Sequence, residues 1–270
     1  MAIIYIGTSG YSFKDWVGNF YPENIKSGEM LNFYAQHFKI VEINSTYYAI
    51  PKPYLLERMV KNTPPDFQFT VKANGGMTHE RKDNKSVFDQ FEEAIQPLVE
   101  AQKLKGVLFQ FPNAFRNTQE NRTYLSQCKE IYPKYPLITE FRHTSWVTKP
   151  AFDFLKNLDI SYCSVDEPNI PGLIPPDAVA TNKLGYVRFH GRNKEKWYSG
   201  DSAERYNYLY SDKELKDWIP KIKHLSDVTN ELYIFFNNCH SGHAATNAMK
   251  MHDMLQSDLF TTPSSDSQNK

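Results

Sequence analysis

Short apolar runs alternate along this chain with longer stretches whose apolar positions recur every three or four residues, the mixture expected of strands alternating with amphipathic helices. Ile3 to Thr8 reads as a first strand. Ser27 then caps a helix carrying Met30, Leu31, Tyr34 and Phe38 on one stripe. Ile40 to Ile43 is a second strand, Tyr54 to Val60 a helix, and Phe67 to Val71 a third strand. Ser86 caps a long helix with Val87, Phe88, Phe91, Ile95, Leu98 and Val99 aligned, ending at Leu104 before the fourth strand, Gly106 to Phe109. The alternation continues with Tyr124 to Ile131, strand Leu137 to Thr139, helix Ala151 to Leu158 and strand Ile160 to Val165. Strands Tyr186 to Phe189 and Leu232 to Phe236 follow, with one helix near Lys213 to Ile222 between them and a last one through Ala244, Ala248 and Leu255. Repeated strand and helix units imply parallel pairing, and eight of them imply an α/β fold of one closed (β/α)8 barrel of the TIM type. It occupies residues 1–260, with a small, polar and disordered tail over 261–270.

The connections predict where function sits. Helices turn into strands through single residues, Lys39, Lys105 and Asp159, whereas the segments after strands run long: Ser9 to Ser27, Asn74 to Lys85, Asp166 to Lys183 and Gly191 to Ser211. In a parallel barrel those long segments gather at the carboxyl ends of the strands, the face on which active sites are built.

Charge narrows the field. Lys plus Arg and Asp plus Glu each total 31, so no global field draws in nucleic acid or an anionic membrane, and a charged ligand must be caught locally. No apolar run is long enough to span a membrane, and the opening MAIIYIGTSG lacks the basic segment of a signal peptide. Cys128, Cys163 and Cys239 are odd in number and widely spaced, which suits a reducing cytoplasm.

Candidate chemistry concentrates at the strand ends. The stretch LITEFRHTSW passes within ten residues from an apolar strand to Glu140, Arg142 and His143. Around the rim the same reading places Thr8 and Ser9 after the first strand, then Glu42 and Asn44, Lys72, Gln110, Asp166, Arg188 with His190, and Asn237 with His240. The bland reading is a ring of structural ion pairs joining Glu42 or Glu140 to Arg142 or Arg188. Three sharper readings compete with it. In the favoured one, Lys72, Arg142, Arg188 and His190 hold a small anionic ligand while Glu42, Glu140 or Asp166 moves a proton, giving hydrolase chemistry on a phosphate-bearing substrate. The NNCHSGHAA segment supports it, because the amides of Gly242 and His243 open a helix where barrel phosphate sites are usually found. Alternatively Glu42, Glu140, Asp166 and His190 form a set suited to a divalent metal, as in a barrel endonuclease or isomerase. Thirdly, the bases and rings interleaved from Arg192 to Tyr210 suit a nucleic-acid-binding module; Glu195, Asp201, Glu204 and the zero net charge oppose it.

The segments IGTSGYSFKDWVGNFYP, VEINSTYYAIP, FTVKA, LFQFP, EFRHTSW, YVRFHGRN and NNCHSGHAATNAMKM together resemble the YecE-like family, a domain-of-unknown-function family. The resemblance covers nearly the whole chain and implies a TIM-type barrel. It implies no reaction. Between the sixth and seventh strands, where the family often has a shorter stretch, this chain carries the Pro-rich VDEPNIPGLIPPDA.

Overall fold

A computed structural model describes residues 1–199 and 202–260. The tail expected at 261–270 lies outside the described residues. Eight parallel strands, β1 (Ile3–Thr8), β2 (Ile40–Ile43), β3 (Gln68–Lys72), β4 (Leu104–Gln110), β5 (Leu137–Glu140), β6 (Ile160–Asp166), β7 (Leu184–Phe189) and β8 (Glu231–Phe236), form the sheet. Its order is β1-β8-β7-β6-β5-β4-β3-β2, so every strand lies beside its chain neighbours and β8 returns to β1. This is the predicted single (β/α)8 barrel.

The helices are α1 (Met30–His37), α2 (Pro53–Lys61), α3 (Lys85–Glu100), α4 (Gln119–Ile131), α5 (Lys149–Asn157), α6 (Ser202–Arg205), α7 (Asp212–Lys216), α8 (Ile219–Val228) and α9 (His243–Phe260). Of the expected α3 stripe, Phe88, Phe91, Ile95 and Leu98 are buried, while Val87 and Val99 at its two ends are half-buried. The helix expected near Lys213 to Ile222 is two, because Pro220, with no N–H to donate, begins a new helix in the first turn of α8. Two expected caps also differ. Ser27 opens a short 3-10 turn ahead of α1, and Ser86 lies inside α3 rather than at its start. Nor does α3 run to Leu104: it stops at Glu100, and three residues, not one, lead into β4. Gln102 and Asp159 take left-handed backbone, which lets these short reversals close.

The barrel closes differently at one seam. Seven neighbouring pairs share strand ladders, but β1 and β2 meet through a single bridge beyond the strand end, Ser9 opposite Glu42, with the Gly10 N–H donating to the Glu42 carbonyl at 2.8 Å. Below it, the buried Tyr34 hydroxyl of α1 enters the seam. It accepts from the Thr8 N–H at 2.9 Å and donates to the Ile40 carbonyl at 3.1 Å, pairing two backbone groups that would otherwise be buried alone. The strands come so close that a Cβ on Gly7 would lie 2.3 Å from the Ile40 oxygen.

Tyr34→Phe should therefore destabilise the fold by about 1–3 kcal/mol, the cost of stranding a buried N–H and C=O. A chemical denaturation curve of the variant superimposable on wild type would show that the hydroxyl is dispensable.

Candidate functional site

The upper layer of the barrel interior is ionic where an ordinary core would be apolar. Arg188 projects inward from β7, 1% exposed, with its Nη2 2.7 Å from Oε1 of Glu42 on β2 and its Nη1 2.5 Å from Oε2 of Glu140 on β5. Tyr186, two residues earlier on the same strand and so on the same face, donates to Glu42 Oε2 at 2.6 Å. Its hydroxyl also lies 3.0 Å from Thr70 on β3. Ser9 Oγ accepts from Arg188 Nη2 at 3.3 Å. One guanidinium thus ties β1, β2, β5 and β7 together, and the structural ion pairs of the bland reading are present.

A second tier stands above it. Arg142 Nη2 lies 2.7 Å from Glu140 Oε1, and its Nη1 donates to Glu167 Oε2 at 2.8 Å. Aromatic packing sets this aim. Phe141 stacks on Trp146 with ring centroids 4.1 Å apart, and the Trp146 Nε1–H donates to the Phe115 carbonyl at 2.7 Å, so the segment after β5 is pinned while Arg142 turns to the mouth. The His190 ring touches both tiers, with Nε2 3.2 Å from Glu140 Oε1 and 3.3 Å from Arg142 Nη2. Asn237 Nδ2 donates to its Nδ1 at 3.1 Å, which leaves the ring proton on Nε2, aimed at Glu140.

These surroundings set the charges. Burial alone would raise the Glu140 carboxyl, but Arg188 and Arg142 outweigh it and hold the group well below the usual carboxylate range. Burial, with Arg142 adding to it, lowers His190 to about 3, so the imidazole is neutral at physiological pH. Glu167 moves the other way. Its burial wins over the Arg142 charge and the Ile174 N–H, and its carboxyl rises to about 7. Lys72, at the end of β3, donates to Gln110 Oε1 at 2.9 Å and lies 4.5 Å above the Tyr47 ring. Among the described residues no carboxylate pairs with it. Burial and then Arg188 lower its ammonium to about 8.

The expected residues separate into groups. Glu42, Glu140, Arg142, Arg188, His190 and Asn237 form one connected network, with Lys72 and Gln110 beside it. Asp166 belongs to another. Both its oxygens are taken, by Arg192 at 2.8 and 2.7 Å, Tyr210 at 2.7 Å and Trp218 at 2.6 Å, and it anchors the segment after β7. Thr8 turns into the seam, its hydroxyl donating to the Gly10 carbonyl at 2.6 Å. At the start of α9 the Ser241 N–H donates to Asp15 Oδ2 at 2.6 Å. A carboxylate thus already stands beside Gly242 and His243, where an anion was expected, while His240 lines a cavity next to the network. Glu167 was missed. The Asp-Glu pair closing β6 was the available signal for Glu167, since adjacent residues at a strand end point to opposite sides and only one could serve the Arg192 anchor.

The metal set does not fit. Glu42, Glu140 and His190 face guanidinium groups, Asp166 lies apart, and among the described residues no three His, Cys, Asp or Glu side chains are grouped to hold a metal ion. The nucleic-acid mixture is largely spent internally: Arg192 on Asp166 and Glu214, Lys196 on Glu204, Arg205 over Trp197, and Tyr208 on Glu214. No helix of the described residues is long and apolar enough to cross a membrane.

Comparison with known proteins matches the chain to relatives over nearly its whole length. The family model described as "Protein of unknown function DUF72" matches residues 5–269. UPF0759 protein YunF of Bacillus subtilis is 37% identical over 270 residues, covering 94% of this chain and 95% of that protein. UPF0759 protein YecE of Escherichia coli K12 is 38% identical over 78 residues, 29% of this chain and 26% of that protein. A crystal structure of a DUF72 family protein from Thermotoga maritima superposes with a TM-score of 0.88 at 45% identity, covering 94% of this chain and 99% of that one. The chain therefore belongs to the DUF72 family, the YecE-like barrels described as proteins of unknown function.

Proposed function

We propose that the mouth of this barrel is the active site of a hydrolase-type enzyme for a small phosphate-bearing substrate, with Lys72 as the anion anchor. The observation that carries this reading is the state of Lys72. Arg188 has two carboxylates and Arg142 has two, so their charges are compensated, but the Lys72 ammonium has an amide oxygen and a ring face instead. A half-buried cation without a carboxylate partner is held at a cost, and an arriving anion removes that cost. Arg142, 13% exposed in its side chain, adds a second positive edge.

Proton handling falls to Glu167 rather than to Glu140 or Asp166. Glu140 is locked in its ionised form and Asp166 is committed to Arg192, Tyr210 and Trp218, whereas Glu167, held by Arg142 and the Ile174 N–H, titrates near neutrality, where a general acid or base is most effective. His190, neutral and held by Asn237, points its Nε2–H at Glu140 and so positions that carboxylate.

Lys72→Met should keep the circular-dichroism spectrum of the wild type and lose calorimetric binding of inorganic phosphate by at least about tenfold, a charge-assisted contact's worth. Equal binding by the variant would remove the anchor and the reading with it. The pH dependence carries a sign. Because burial lowers Lys72 to about 8, phosphate affinity should fall as pH rises through that value, and binding near it should take up a proton, since the anion favours the ammonium. Titration in buffers of different ionisation enthalpy measures that uptake; proton release would contradict the assignment. Glu167→Gln should leave phosphate binding in place and slow phosphate release from a phosphomonoester panel by about 100-fold or more. Unchanged turnover in this variant would take the proton-handling role away from Glu167.

A further inference from the structure

Beside the ionic network, between the segments after β1, β2 and β8, lies a cavity of about 660 Å³. That is within the range of small-molecule sites and much more than a phosphate ion fills. It abuts the anchor in two ways. Tyr48 on its wall is 5.0 Å, ring to ring, from Tyr47, the ring beneath Lys72. Asn237 on its floor holds His190, which touches Arg142. The cavity wall at Tyr48 is thus one ring away from Tyr47, the ring beneath Lys72.

The lining says what body. Asn44 and Asn237 bring amides, Asp15 a carboxylate and His240 an imidazole, while Tyr48 and Tyr206 supply ring faces. Asn44 Oδ1 is a buried acceptor with no hydrogen-bond partner, and its Nδ2 has only a long contact of 3.5 Å to Asn237. Oδ1 is withdrawn from the cavity surface, so the amide meets a ligand by rotating, and a hydroxyl, which both donates and accepts, satisfies the rotated group in the space of one atom. Tyr48 is 81% exposed, a large ring held open to solvent at the cavity edge. Amide pairs with an aromatic wall suit a polyhydroxylated ring, whose hydroxyl edge is polar and whose C–H face packs on an aromatic. Nucleobase recognition would favour paired facing rings, and none of the described ring pairs joins Tyr48 to Tyr206 across this cavity.

We infer that this cavity binds the carbohydrate ring of a sugar phosphate whose phosphate lies on Lys72; the inference rests on the anion site proposed above and adds the class of its substrate. Glucose 6-phosphate, ribose 5-phosphate, inorganic phosphate, free glucose and AMP are titrated into wild type, Tyr48→Ala and Asn44→Ala by calorimetry. At least one sugar phosphate should bind wild type about tenfold or more tighter than inorganic phosphate. Both substitutions should erase that margin while leaving inorganic phosphate at wild-type affinity; Tyr48→Ala removes an exposed ring and keeps the test valid if Asn44→Ala disturbs the floor. Sugar phosphates no tighter than phosphate, or a margin insensitive to both substitutions, overturn the cavity inference and leave the anion site standing. AMP binding tighter than both sugar phosphates overturns the carbohydrate assignment. Glucose binding that depends on Tyr48, with no phosphate binding to wild type, overturns the joint site and locates the failure in the Lys72 anchor.

Discussion

Arg188 inside the barrel is the constraint around which this structure is arranged. A guanidinium withdrawn from water is tolerated only if its charge and most of its donors are met at close range. Glu42 and Glu140 meet it from opposite sides of the cylinder, with Ser9 on a third, so the register of β2, β5 and β7 must deliver these residues at one height. Once two carboxylates are sunk at that level the next tier follows. Glu140 has an oxygen left to satisfy, Arg142 and His190 approach it, and Arg142 in turn draws Glu167 from the segment after β6. The site is in this sense an outward continuation of the core.

That continuity divides the charged residues by role. Those deep in the network are fixed by reciprocal contacts, and there Glu140 is held ionised and Arg188 charged. Lys72 lacks a carboxylate partner, and Glu167 is buried more strongly than Arg142 and the Ile174 N–H offset, so the proton affinities of both are drawn toward neutrality. A fold that must bury several charges thus leaves titratable groups beside its ionic network.

The barrel was legible in the sequence because its evidence is local: apolar runs, helical stripes such as Phe88, Phe91, Ile95 and Leu98, and the contrast between short and long connections. The rim was legible for the same reason, since a polar residue after an apolar strand marks the strand's end. Partnership was not. Arg188 and Lys72 look alike as cations at strand ends, yet one is neutralised and the other is not, and the difference lies in residues more than forty positions away along the chain for Arg188 and Glu140. Asp166 was hard to place for a related reason: its partner Tyr210 belongs to a distant segment whose aromatics looked like a surface for ligands, and its partner Trp218 stands beyond that segment, at the start of α8. Element ends shifted where a single residue decided, as at Pro220.

The tyrosine-stapled seam has a consequence for how such a chain can be rearranged. Since β1 is laddered to β8 and meets β2 mainly through a side chain, the hydrogen-bonded order already reads as an open ribbon beginning at β2 and ending at β1. A circularly permuted gene that opened between these strands and carried the first one behind the last would preserve every ladder, and only the Tyr34 staple and the Ser9 bridge would have to form between former neighbours.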